Sequence, residues 1–159
     1  MFHRKRPGAA KARLSILALA TLVAAGPMAA LAAPTLDLSA YKGKVVYLDF
    51  WASWCQPCKA SFPYMERLKR LHASEGLVIV AVNLDHAKPR ADAFLQAMNS
   101  DLDIVYDPKG DIAKAYGVKD MPTSLLIDRN GKVSFTHQGF YPEKTADYDV
   151  QVGELLHDH

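Results

Sequence analysis

The chain has 159 residues, of which half are hydrophobic and 23% charged, a composition that supports a core and excludes disorder as a description of the whole. Two cysteines are too few for a disulfide-stapled scaffold or a four-thiolate zinc site. The net charge of +2 is uneven: residues 1–32 hold five of the 19 basic residues and no acidic one, leaving 14 basic against 17 acidic and −3 for the remainder, which excludes a basic nucleic-acid-binding surface.

The N-terminus reads as a secretory leader. Arg4, Lys5, Arg6, Lys11 and Arg13 precede an apolar run from Leu14 to Ala25. Gly26-Pro27 breaks that run, and Ala30-Leu31-Ala32 offers the small side chains of a cleavage site, placed after Ala32. The rival reading is a retained anchor, because Leu14 to Ala33 is a 20-residue stretch without charge. No cysteine lies near the cleavage site and no Arg-Arg pair is present, so a lipoprotein anchor and a twin-arginine signal are not indicated. The expected organisation is a leader at 1–32 and one domain at 33–159, exported to an envelope compartment where disulfide chemistry is available.

The mature part alternates in pattern. Lys44 to Phe50 is a β-rich run. From Cys55 to about His72, Phe62, Met65, Leu68 and Leu71 recur at helical spacing, and Gly76 ends the helix. Leu77 to Leu84 is a near-continuous apolar run, the mark of a strand covered on both faces. A helix over Ala91 to Met98, a short strand over Ile104 to Tyr106 and a short helix over Asp111 to Tyr116 follow. Strands at Ser124 to Asp128 and Lys132 to His137 flank Arg129-Asn130-Gly131, a hairpin signal, and Pro142 to Leu156 reads as a closing helix. The order β-α-β-α-β-α-β-β-α predicts an α/β fold, a mixed sheet with helices on both faces.

Both cysteines fall in Trp54-Cys55-Gln56-Pro57-Cys58, between a strand and a helix. At a helix start, unpaired N–H groups and the helix dipole favour an anion, which lowers a thiol pKa from about 8.5 into a range of roughly 3.5–7.5. Cys55 is therefore the expected nucleophile. Cys58, one turn inside, is the expected resolving thiol, and Pro57 pre-forms the first turn. An inert disulfide would close too small a ring to stabilise much. Half a zinc site lacks a second pair of ligands, and haem attachment would need His where Lys59 stands.

The segment DFWASWCQPCKASFP resembles the active-site region of the thioredoxin superfamily, and more narrowly the TlpA/ResA-type thiol–disulfide oxidoreductases of the bacterial envelope. The resemblance covers roughly 36 to 156, and residues 85–110 resemble that branch's extra helix-and-strand insertion. It implies a thioredoxin-like fold and a cis-proline loop at Met121-Pro122-Thr123, where the residue before the proline pairs with an incoming peptide. Gly139 matches a glycine leaving room beside that loop, and Pro63 a mid-helix kink. Asp49, six residues before Cys55 in an apolar strand, matches the family's buried aspartate. Burial should raise its pKa and suit it to accept a proton from Cys58. The lysine usual on the neighbouring strand is replaced by Ala81. Trp54 is expected to line the approach to Cys55, whereas Trp51 packs behind the helix. Phe140 and Tyr141 extend an apolar rim or cap the last helix.

These features imply a periplasmic oxidoreductase, most simply a reductase, acting on client protein disulfides. A membrane thiol–disulfide carrier would supply its electrons, with cytochrome c or oxidase maturation as the setting. It needs no diffusible cofactor and no resident metal, and one compact redox domain needs no second subunit. Two alternatives stand beside it: a thiol oxidase or isomerase, and a copper chaperone holding Cu(I) between Cys55, Cys58 and His137, since thiolates suit that ion. A peroxidase is disfavoured, because Trp51-Ala52-Ser53-Trp54 stands where peroxiredoxins place their own proline- and threonine-bearing turn. His72, His86 and His137 are expected on the surface or in caps.

Overall fold

The structure, a computed structural model, describes Met1 and residues 36–158. The expected leader, Met1 apart, lies outside the described residues. Strands β1 (Val45–Trp51), β2 (Leu77–Asn83), β3 (Asp103–Tyr106), β4 (Thr123–Ile127) and β5 (Val133–Gln138) alternate with helices α1 (Gln56–His72), α2 (Lys88–Met98), α3 (Asp111–Ala115) and α4 (Thr145–His157) in the expected order. One sheet results, ordered β3-β2-β1-β4-β5. β1 runs parallel to β2 and β2 to β3, whereas β1–β4 and β4–β5 are antiparallel. The fold is thioredoxin-like, and residues 85–110 contain α2 and the edge strand β3.

Alternation along the strands divides the core. Val45, Tyr47 and Trp51 face the side carrying α1, α2 and α4, together with Leu77, Ile79 and Ala81. Val46, Leu48 and Phe50 face the other side with Val80 and Val82, beneath α3 and the segment Leu36 to Tyr41. All seven residues of β1 are buried, which is why a central strand reads as an apolar run rather than an alternating one. Trp51 sits edge-on to Phe62 of α1 at 4.8 Å between ring centroids and 4.9 Å from Phe94 of α2, so it packs behind the helix. Burying side chains of this kind contributes about 1.5–3 kcal/mol each.

Most element ends fall within one residue of expectation, and three departures are larger. α2 begins at Lys88, three residues before Ala91, because Pro89 occupies its first turn, where a missing N–H costs nothing. The stripe α1 buries is Cys58, Ser61, Phe62, Tyr64, Met65 and Leu68, and Leu71, expected on it, is 53% exposed one turn beyond the last buried position. The closing helix begins as a 3₁₀ turn over Pro142–Lys144.

The end of the sheet away from the cysteines is closed by Arg129. Its guanidinium donates to the carbonyls of Gly43 (2.9 Å), Glu75 (3.3 Å) and Leu156 (3.0 Å), which precede β1, precede β2 and end α4 respectively. A cation at those helix-terminal carbonyls is also favoured by the α4 dipole.

Candidate active site

β1 and β2 end together, with Trp51 paired to Asn83, and the chain leaving each strand builds the site. After Trp51 it turns, the Cys55 N–H donating to the Ala52 carbonyl at 3.1 Å. Cys55 is the extended N-cap of α1, Pro57 lies in the first turn, and the Cys58 N–H donates to Cys55 Sγ at 3.2 Å. The two cysteines are joined in a disulfide with their Cα atoms 5.3 Å apart. Cys55 retains 6% exposure and Cys58 none. Trp54, Gln56 and Pro57 are exposed around them, Trp54 at 64%. A cleft of about 300 Å³ opens beside Trp54, lined also by Asp85, His86, Ala87 and Arg90.

Asp85 ties down the turn. Its carboxylate is buried and accepts from the Ser53 N–H (2.8 Å), the Ser53 hydroxyl (2.8 Å) and Asn83 Nδ2 (2.8 Å). The Asp85 N–H returns a bond to Asn83 Oδ1 at 3.1 Å. Sequence reasoning missed this residue. The available signal was its position directly after the apolar run Leu77 to Leu84, much as Asp49 stood out within the run Lys44 to Phe50.

Asp49 is fully buried on the α1 side of β1, where Tyr47 and Trp51 also point. Its β2 neighbour is Ala81, which offers no charge. Oδ1 accepts from Ser124 of β4 at 2.7 Å, and Ser124 Oγ in turn accepts from the Tyr47 hydroxyl at 3.0 Å. Oδ2 has no hydrogen-bond partner among the described residues. Burial pushes the carboxyl up to about 7, against the opposing pull of the Ser124 hydroxyl.

The loop before β4 reaches the same end of the sheet. Phe50 pairs with Thr123, so Pro122 and Met121 continue alongside Trp51 and Ala52. The Met121–Pro122 bond is cis, Pro122 is buried, and Met121 packs on the cluster that contains both cysteines. Gly139, just past β5, donates its N–H to the Pro122 carbonyl at 2.7 Å. Its φ of +78° favours glycine. The atoms nearest to a Cβ there would be those of the Tyr141 ring, at 3.1 Å. Phe140 packs against Tyr64 and Tyr148, and Tyr141 is exposed before the last 3₁₀ turn.

The described histidines do not gather at the cysteines. His86 is exposed and bonds the Pro108 carbonyl, and His72 meets Glu75. His137, expected on the surface or in a cap, is instead half-buried, because its ring stacks on Tyr148 of α4 at 4.2 Å with Nε2 against Gln151 at 2.6 Å. Among the described residues no cluster of three or more His, Cys, Asp or Glu side chains forms. Nor is any described helix long and apolar enough to cross a membrane.

The arrangement places a redox-active pair, a buried carboxyl and a cis-proline loop at one end of one sheet. A family model described as Redoxin matches residues 23–152. The chain belongs to the Redoxin family. Within it, the sequence is 41% identical over 96 residues to thiol-disulfide oxidoreductase ResA of Geobacillus thermodenitrificans, covering 60% of this chain and 55% of that protein. It is 40% identical over 98 residues to ResA of Bacillus subtilis, covering 62% and 55%. The chain thus spans about half the length of the curated relatives it matches. Among solved structures, a candidate thiol:disulfide interchange protein DsbE from Chlorobium tepidum is 47% identical with a TM-score of 0.73, over 75% of this chain and 84% of that one. StoA of Bacillus subtilis is 31% identical with a TM-score of 0.59, over 68% and 84%. This Redoxin-family chain is a ResA-like member of the thioredoxin superfamily.

Proposed function

We propose that this chain is an exported thiol–disulfide oxidoreductase that reduces disulfides in client proteins. The carrying observation is the inequality within the pair: Cys55 caps α1 and keeps some exposure, whereas Cys58 is sealed beneath it. In the reduced protein the Cys55 thiolate attacks a client disulfide. One client sulfur leaves with the electron pair, and a mixed disulfide forms beside the Met121–Pro122 loop, where Trp54 lines the approach. Cys58 gives its proton to Asp49 and its sulfur attacks Cys55 Sγ. The Cys55–client bond breaks, the Cys55–Cys58 bond forms, and the second client sulfur leaves as thiolate. Two electrons pass to the client and the pair is oxidised, as it stands in this structure. No diffusible cofactor takes part.

The ResA relatives support this reaction class, and the leader read at residues 1–32 supports action in the periplasm. A membrane thiol carrier then restores the dithiol, and apocytochromes c or oxidase-maturation proteins are the clients in view.

Trapping with Cys58→Ser tests the assignment. That variant should accumulate a mixed disulfide on Cys55, identified by mass, and lose insulin-reducing turnover. If Cys55→Ser traps as much, the order of attack is wrong. A reduction potential near −120 mV, the value of a strong oxidant such as DsbA, would turn the direction from reductase to oxidase.

A further inference from the structure

Asp49 lies in an apolar face with Ala81 beside it and no ion-pair partner among the described residues, so what holds its carboxylate is a question of hydroxyls. We propose that Tyr47 and Ser124 form a one-way hydroxyl relay that fixes Oδ1 of Asp49 and reserves Oδ2 for the proton exchanged with Cys58. The proposal rests on the reading of Asp49 as proton acceptor given above. Tyr47 and Ser124 are positioning residues, since they act through Asp49, to which the Ser124 hydroxyl donates.

The polarity of the relay follows from which groups can donate. Tyr47 is buried, and burial together with the nearby Asp49 carboxyl pushes its phenol well above its ordinary range. It therefore keeps its proton and donates to Ser124 Oγ at 3.0 Å. Ser124 has one proton of its own. With its oxygen already accepting from Tyr47, that proton goes to Asp49 Oδ1 at 2.7 Å. Oδ1 is an acceptor whether or not the carboxyl is protonated. Oδ2, buried and unpartnered among the described residues, is the oxygen left to gain and lose a proton. The three residues lie on one face at paired positions: Asp49 is in register with Ser124, and Tyr47 precedes Asp49 by two on the same side of β1.

The groups around the relay keep their charge state near neutrality. On α1, Cys58 is in the disulfide, and Tyr64, whose ring lies 6.3 Å from Tyr47, is held protonated by burial. On α4, burial likewise raises Tyr148. On β5, His137 stands opposite Ser124 in register and burial lowers its pKa, which leaves it neutral. On β2 the facing residue is Ala81. Asp149 and Arg67 pair with each other beyond the Tyr64 hydroxyl. A titration near pH 7 at this place therefore belongs to Asp49.

The test uses the oxidised full chain, in which neither cysteine titrates, with the aspartate carboxyls labelled with carbon-13 and followed by NMR from pH 4 to 10. Ser124→Ala removes the donor that favours the ionised carboxyl and should raise the Asp49 midpoint by about 1 pH unit. Tyr47→Phe should raise it by less, because Ser124 keeps its own proton. Ser124→Thr, which restores a hydroxyl, should bring the midpoint back towards the parent value. A Ser124→Ala midpoint equal to the parent's overturns the relay. So does a Ser124→Thr midpoint displaced as far as that of Ser124→Ala, which would reveal a packing role only. Stopped-flow resolution of the mixed disulfide separates the two claims: an Asp49→Asn variant resolving at the parent rate sinks the proton-acceptor reading and leaves the titration result standing.

Discussion

Two buried carboxylates flank the turn that carries the cysteines, and they are provisioned oppositely. Asp85, past the end of β2, has three donors and both oxygens occupied. Asp49, within β1, has one donor and a bare oxygen. A buried carboxylate with both oxygens hydrogen-bonded organises the groups that donate to it. One left short of donors prices its own ionisation close to neutrality, which is the property a proton acceptor needs. Under the proposed mechanism the same side chain serves as architecture past the end of β2 and as chemistry within β1.

The sharpest way to break this contrast is Asp49→Asn. An amide cannot take the Cys58 proton, so resolution of the mixed disulfide should slow by about a hundredfold or more, read by stopped-flow quenching. The same variant should gain stability in a pH-dependent way. Asp49 has an ordinary pKa of 3.8 when unfolded and about 7 when folded, so the native state binds the extra proton between those values. Stability therefore falls as pH rises through that window, by on the order of 4 kcal/mol once above it. Removing the carboxyl relieves part of that cost. Urea unfolding at pH 8 should show Asp49→Asn more stable than the parent by roughly 2 kcal/mol, with the gain disappearing below about pH 4. A variant less stable at pH 8 would place Asp49 in the same class as Asp85.

Asp85→Ala should move the other way. One buried donor on Asn83 and two part-buried donors on Ser53 lose their acceptor, and unfolding in urea should show a loss of about 3 kcal/mol. A loss below about 1 kcal/mol would mean that water serves the Ser53 turn as well as the carboxylate does. The smallest effect belongs to Gly139→Ala, which forces a side chain into positive φ and against the movable Tyr141 ring. It should cost about 1 kcal/mol, seen as a drop of a few degrees in the thermal midpoint.

Much of this was legible in the chain. The apolar run of β2 announced a strand covered on both faces, and Asn130-Gly131 announced the hairpin, where Gly131 has φ +84° and Asp128 Oδ1 accepts from the N–H groups of Asn130 and Lys132. The cysteine pair and the Met121–Pro122 loop lie at one end of the sheet because each sits beside a strand terminus, and Asp49 lies two residues inside the same end of β1. What could not be read were partners distant in sequence. Tyr47 and Ser124 are 77 residues apart and Ser53 and Asp85 are 32 apart, and nothing local in a serine or tyrosine shows whom it will meet across a sheet. The start of α2 was obscured because its N-cap is Ala87, which carries no capping side chain. Leu71 misled because periodicity gives a face of the helix without giving how far along it the sheet extends.

Arg129 bears on the chemistry without approaching it. A slip of one residue in β1 would exchange its two faces, turning Asp49 towards α3 and away from α1. By fastening Gly43 and Glu75, the carbonyls just ahead of β1 and β2, one guanidinium holds both strands to a common starting line. The parity of β1 is settled at the far margin of the sheet. The margin that carries the cysteines is then free to diverge in its loop residues, client contacts and potential without Asp49 changing sides.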